Sequence, residues 1–253
     1  MSTYTPTPDP AAGGAGSRRV TTRDQLLAIL VGVGLVVLAL AANVVFTIPV
    51  FLTVPDFDST TFLLAGLVAG QLAFLVVGLG YVLWRLGREA VPFRTPSRRE
   101  LRWIVGGLVG ALAVAFGAGA LGQFLGVETT TSVLEPYIVA DPVVLLVLGV
   151  LSVFLVAPAE EMLFRGAIQT RLGRTFGPVV TVGLSSLLFA SLHVFNFVSG
   201  LSGVLFATAT IFAVGLVLGT VYERTGNLAV PVIVHGIYNL ILFGVSYVAL
   251  TMF

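Results

Sequence analysis

The chain has no cysteine among its 253 residues, which excludes a disulfide framework, a thiol nucleophile and a thiolate metal site. Lysine is also missing, since all 13 basic residues are arginine, and with it go Schiff-base chemistry and a serine–lysine dyad. Charge of either sign is scarce at 10% of residues, and a net charge of +1 offers no basic field to nucleic acid. Against this stand 57% apolar residues and a mean hydropathy of +1.04, too little polar surface to coat a soluble globule. The composition predicts an integral protein of the lipid bilayer with no nucleic-acid partner.

What the chain does contain is a series of apolar runs long enough to cross about 30 Å of hydrocarbon at 1.5 Å per residue. Seven are expected, with cores near Leu26 to Phe46, Phe62 to Trp84, Trp103 to Leu125, Val143 to Leu172, Val179 to Phe197, Val204 to Tyr222 and Leu228 to Met252. The fold class expected is therefore all-α, a polytopic membrane helix bundle. Connections alternate in charge. Arg18, Arg19 and Arg23 precede the first span, and six arginines from Arg85 to Arg102 follow the second. Arg171 and Arg174 follow the fourth, and Arg224 follows the sixth. The intervening connections carry Asp56 and Asp58, then Glu128, Glu135 and Asp141, then an uncharged turn near Ser199. By the positive-inside rule this predicts a cell (plasma) membrane protein with its N-terminus cytoplasmic and its C-terminus outside.

Residues 1–24 are rich in proline, glycine, serine and threonine and read as a disordered cytoplasmic tail. Residues 25–142 read as N-terminal transmembrane helices, and 143–253 as the region that carries chemistry. A cleavable signal peptide is the competing account of the first span, with Ala39-Leu40-Ala41 as its cleavage site. The apolar run continues past that point to Phe46, which favours an uncleaved anchor. Small residues recur every fourth position at Gly66 and Gly70, at Gly107, Ala111, Ala115 and Gly119, and at Gly215 and Gly219, a pattern expected to let helices pack closely.

Ionisable side chains at membrane depth are costly, roughly 2.5 to 3.5 kcal/mol on insertion scales, and usually mark a functional site. Glu160 and Glu161 lie in such a run, and so do the chain's two histidines, His193 and His235. On a helix, Glu161 and Arg165 are about 40° apart and one turn removed, so they can pair. Glu160, displaced about 100° from Glu161, is left to face a neighbouring helix, with Pro158 loosening the backbone before it. Phe189 precedes His193 by one turn, and His235 and Asn239 share a helix face at i, i+4. Antiparallel pairing across a turn near Arg174 puts Glu160 opposite residue 189 or 190, within one turn of His193. Depths counted from the turns are roughly 21 Å for Glu160, 14 Å for His235 and 27 Å for His193.

Glu160-Glu161-x-x-x-Arg165, Phe189-x-x-x-His193 and His235-x-x-x-Asn239 together resemble the three ordered motifs of the CAAX-processing and bacteriocin-processing (CPBP) intramembrane endopeptidases, also called the Abi or type II CAAX prenyl protease family. The resemblance covers about residues 143 to 245, and that family often has eight spans where seven are counted here. It implies a glutamate-dependent peptidase opening toward the cytoplasm and acting on a membrane-associated protein or peptide, prenylated or not, without a cofactor. It also implies roles: Glu160 as general base helped by His193, His235 and Asn239 as oxyanion donors, and Glu161, Arg165 and Phe189 in support. Burial that brings a carboxyl group toward operating pH, and donors aimed at a developing oxyanion, make such chemistry plausible independently.

Three other readings stay open at this point. Glu160, His193 and His235 could form a two-histidine, one-carboxylate set for Zn²⁺ in a metalloprotease. A serine protease built on Ser202 and His235 would require two residues expected at opposite ends of the bundle to meet. A non-enzymatic scaffold, immunity or transport protein would use the same buried polar groups, with Asn43 and Gln71 extending a polar path.

Overall fold

The computed structural model describes residues 20–127, 131–198 and 200–252. Most of the expected tail, Arg18, Arg19, Glu128 and Ser199 lie outside the described residues. Among the described residues, seven helices long and apolar enough to span a membrane follow one another, in agreement with the seven expected runs. They are α1 (Thr22–Thr53), α2 (Thr60–Leu86), α3 (Arg98–Leu125), α5 (Val143–Gly173), α6 (Pro178–Asn196), α7 (Leu201–Thr225) and α8 (Ala229–Met252). A six-residue helix, α4 (Glu135–Ala140), lies between α3 and α5. The chain is an all-α, polytopic membrane bundle.

Helix α1 begins at Thr22, three residues inside the segment expected as tail. The Thr21 hydroxyl accepts from the Asp24 N–H while the Asp24 carboxylate accepts from the Thr21 N–H, so a capping box starts the helix there. At the acidic end of the bundle a two-residue antiparallel pair, β1 (Thr131–Ser132) with β2 (Phe197–Val198), ties the α3–α4 connection to the α6–α7 turn, with Thr131 opposite Val198.

The arginine-rich end is closed more firmly. Asn227 is fully buried. Its side chain accepts from the Arg94 N–H at 3.1 Å and donates to the Arg94 carbonyl at 3.0 Å, and the Leu228 N–H donates to the Pro92 carbonyl at 2.8 Å. The α2–α3 connection is thereby fixed to the α7–α8 turn, where Gly226 takes the left-handed conformation at φ 56°. Arg94 meets Glu100 with both terminal nitrogens at 2.8 Å, and that bond holds the guanidinium above the usual arginine range.

Helix α5 is the axis of the bundle. Buried residues make up 44% of its most apolar stretch, against 11–33% in the other spans, and it packs on α2, α6 and α8. It is not a uniform α-helix: residues 152–156 and 162–169 are π-helical, flanking an α-helical turn at 157–161. Pro158 explains the first interruption. It has no N–H to offer the carbonyl one turn back and its ring crowds that carbonyl, and the wider π turn, seen in the bond from the Ala157 N–H to the Ser152 carbonyl, absorbs both problems. Glu160 and Glu161 sit on the short turn between the two wide ones.

Glycines let the neighbouring helices reach this backbone. A Cβ at Gly78 on α2 would lie 2.9 Å from the Leu163 Cα, and one at Gly236 on α8 would lie 3.1 Å from the Val153 Cα. Of the small-residue faces expected from sequence, Gly215 and Gly219 pack against Ser186, Phe189 and Val182, and Gly107 packs against Val221 and Val234. Gly66 and Gly119 have nothing within 4 Å, because those helix faces carry no neighbour there. Gly78→Ala and Gly236→Ala are each expected to destabilise the protein by about 1–3 kcal/mol through overpacking against backbone. Gly183→Ala, placed in open space, should be neutral or slightly stabilising, and thermal unfolding in detergent compares the three.

Candidate active site

The α-helical turn at 157–161 presents its two carboxylates to different helices, as their 100° separation requires. Glu161 is fully buried and faces Arg165, also fully buried. The Arg165 Nη1 donates to Glu161 Oε1 at 3.0 Å, and Nη2 donates to the Gly215 carbonyl of α7 at 3.1 Å. The guanidinium lies over the Phe189 ring, 4.7 Å from its centroid. A cation, a carboxylate, a carbonyl dipole and an aromatic face thus compensate one another where water is excluded.

His235 of α8 joins the same carboxylate, with Nδ1 2.8 Å from Glu161 Oε1. Because a carboxylate only accepts, Nδ1 carries the proton, and the nitrogen turned toward Glu160 is Nε2, 3.9 Å from Glu160 Oε2. The other Glu160 oxygen, Oε1, accepts from Gln71 Nε2 of α2 at 3.1 Å. Glu160 is therefore held on one side by a neutral amide and faces an imidazole on the other. Gln71 Oε1, Glu161 Oε2 and Arg165 Nε are buried without a hydrogen-bond partner among the described residues, so the cluster is polar enough to hold ordered water.

Phe189 is the hub on the α6 side. Its ring meets Phe164 edge-on at 5.1 Å, His193 at 4.6 Å and His235 edge-on at 6.0 Å, in addition to the Arg165 guanidinium. His193 is bound back to its own helix, with Nδ1 2.9 Å from the Phe189 carbonyl, and reaches the cluster through the Phe189 ring.

Glu160, Glu161, Arg165, Phe189 and His235 come together. The direct meeting of His193 with Glu160 expected from hairpin geometry is not made: α6 changes to a tighter turn at 194–196 and the ring folds onto the preceding carbonyl. Asn239 stands one turn beyond His235, half-buried, with no side-chain hydrogen bond among the described residues. The Glu160, His193, His235 set considered for zinc is not assembled, and among the described residues no three histidine or acidic side chains are grouped to hold a metal ion. The 7 Å difference in depth expected between Glu160 and His235 does not separate them, since His235 Nε2 lies 3.9 Å from Glu160 Oε2.

Gln71 is the partner that sequence reasoning set aside as a lone amide. Its one detectable signal was depth. Gln71 lies roughly 22 Å from Leu86 and Glu160 roughly 20 Å from Gly173, both counted from the arginine-rich end at 1.5 Å per residue.

Residues 142–241 match the family model described as type II CAAX prenyl endopeptidase Rce1-like. The uncharacterized protein YpbD of Bacillus subtilis (strain 168) is 44% identical over 85 residues, which is 34% of this chain and 38% of that protein. The aligned stretch thus spans well under half of either chain. No solved structure matches.

Arg165→Met leaves a carboxylate buried without its cation and is expected to cost about 3–5 kcal/mol. Arg165→Lys should recover only part of that, since one ammonium cannot reproduce the planar contacts to Glu161, Gly215 and Phe189. Glu161→Gln combined with Arg165→Met should be milder than Arg165→Met alone, and denaturation in detergent measures the order.

Proposed function

We propose, from the premise that residues 142–241 place this chain in the type II CAAX prenyl endopeptidase, Rce1-like family, that it is an intramembrane endopeptidase whose base is Glu160. The observation that carries this reading is the division of labour between adjacent carboxylates: Glu161 gives Oε1 to both Arg165 and His235 and has its other oxygen sealed in the interior, whereas Glu160 is bonded only to the neutral Gln71 amide and holds Oε2 3.9 Å from His235 Nε2. A water seated beside that pair, about 2.8 Å from each atom, can bond to both. The family motifs give the remaining roles: Asn239 toward the oxyanion, His235, whose Nδ1–H is held by Glu161, turning Nε2 to the water, and His193 in support through the Phe189 ring.

In the proposed cycle Glu160 takes a proton from water as its oxygen attacks the peptide carbonyl carbon. The negative charge that forms on the carbonyl oxygen is met by the Asn239 amide of α8, a donor worth more in a dry site than in water. Glu160 then returns its proton to the amide nitrogen, the C–N bond breaks, and a carboxylate and an amine leave. No covalent intermediate and no cofactor enter this cycle. The substrate is a membrane-associated protein or peptide, as the bilayer setting requires. The cytoplasm lies at the arginine-rich end, with the C-terminus outside. Residues 143–253 form the catalytic region, and the helices before it contribute Gln71, which positions Glu160.

Glu160→Gln keeps the acceptor for Gln71 and the side-chain volume but removes the base. Cleavage should fall by about 10²- to 10⁴-fold with the thermal transition unchanged. The assay compares the protein termini of membranes carrying wild type and Glu160→Gln, and identical sets of termini would refute the reading. On a substrate so identified, Gln71→Met should lower kcat about tenfold, equivalent to about 1.4 kcal/mol, with KM unchanged. Reporter fusions at the C-terminus should be active only outside the cytoplasm, and cytoplasmic signal there would reverse the orientation.

A further inference from the structure

A cavity of about 590 Å³ lies between α3 and α7, away from the glutamates, lined by Arg102, Trp103, Gly106, Gly110, Val217 and Thr220 among others. Its composition is ordered along the helix axis. On α3, Arg98, Arg102, Gly106 and Gly110 follow one another at i, i+4, and so do Arg99, Trp103, Gly107 and Ala111. Two adjacent rows on one helix face thus begin in arginine at the membrane surface and continue as small residues into the bilayer. A Cβ at Gly106 would meet nothing within 4 Å, so this stretch of the floor stays open and is not filled by a neighbouring helix.

The surface end is positively charged without compensation. Arg98, Arg99 and Arg102 are exposed and make no ion pair among the described residues. The carboxylate in that turn, Glu100, is buried and already takes both terminal nitrogens of Arg94 and the Ser97 N–H. Half-buried Trp103 sits between the arginines and the glycines, the level at which an amphipathic ring favours a membrane interface. The Thr220 hydroxyl, on the groove wall from α7, makes no side-chain hydrogen bond among the described residues, an isolated polar group in an otherwise apolar wall.

We propose that this groove is a binding site for an anionic phospholipid. One acyl chain lies along Gly106 and Gly110, and the phosphate is met by Arg98, Arg99 and Arg102. Polarity carries the assignment: the groove is cationic at its mouth and apolar along its length, the complement of an anionic amphiphile. A zwitterionic lipid would match only the length, and a soluble phosphate only the mouth. Basic pockets between membrane helices recognise anionic headgroups by this chemistry.

The chain's two tryptophans, Trp84 and Trp103, permit a direct test. In a Trp84→Phe background Trp103 is the sole indole, and the full-length protein is reconstituted in phosphatidylcholine vesicles with increasing phosphatidylglycerol brominated on its acyl chain. Brominated phosphatidylglycerol should quench Trp103 at a several-fold lower mole fraction than brominated phosphatidylcholine. Removing each arginine by substitution with glutamine should weaken that preference roughly fivefold. Gly106→Leu, which fills the floor, should abolish it with helical content and thermal transition unchanged. Glycerol 1-phosphate should not compete. Equal quenching by the two lipids, a preference that survives Gly106→Leu, competition by glycerol 1-phosphate, or occupation of the groove by a second copy of the chain on cross-linking would each overturn the proposal.

Discussion

A guanidinium with no solvent exposure, inside a helix at the centre of a membrane bundle, is the constraint to which the rest of the structure answers. Stripping such an ion of water costs several kcal/mol even after relaxation, and Arg165 cannot shed its proton to escape the cost. Compensation must therefore come from several directions at once. Glu161 supplies it one turn earlier on α5, the Gly215 carbonyl from α7 and the Phe189 face from α6. Three helices are located by one side chain. His235 then follows, because Glu161 Oε1 has a second lone pair and the Nδ1–H of α8 takes it at 2.8 Å.

Backbone shape makes this possible. An α-helix presents adjacent residues 100° apart, but the partners of Glu160 and Glu161 come from α2 and α8, which must reach α5 at nearly the same level. The π turns on either side of 157–161 widen the helix, and the glycines at 78 and 236 bring the flanking backbones close to those turns. Pro158 has a local reason to sit where it does. Without its missing N–H the first wide turn would have no cause, and the two carboxylates would stand on a regular helix with less room for two neighbours.

The spans and their charge asymmetry were legible in the sequence, because membrane thickness imposes a length that composition alone can meet. The Glu161–Arg165 pair was legible for a similar reason: four residues on a helix is a distance. Gln71 was not, since one amide in an apolar helix has no period and its partner lies 89 residues away. The orientation of His193 was also hidden, because the local break that turns its ring onto the Phe189 carbonyl follows no helical spacing. Counting depth at a constant rise from two turns could not bring Glu160 and His235 together, since α5 is π-helical at 162–169 and no spacing in the sequence sets the relative level of the turns.

The contrast between the two carboxylates gives the site its character. Glu161 has a full positive charge and an imidazole N–H on one oxygen. Glu160, equally deep, has a single bond from a neutral amide, and a hydrogen bond to a charged group is worth about 1.5–3 kcal/mol, less than the several kcal/mol that burial of the ion demands. The difference is what a water or a polar substrate group bonding to Oε2 would restore. A second arginine there would remove that difference and, with it, any reason for the carboxylate to engage a third party. One cation for two acids leaves Glu160 without a charged partner, and an acid so placed beside an imidazole suits the hydrolysis proposed above.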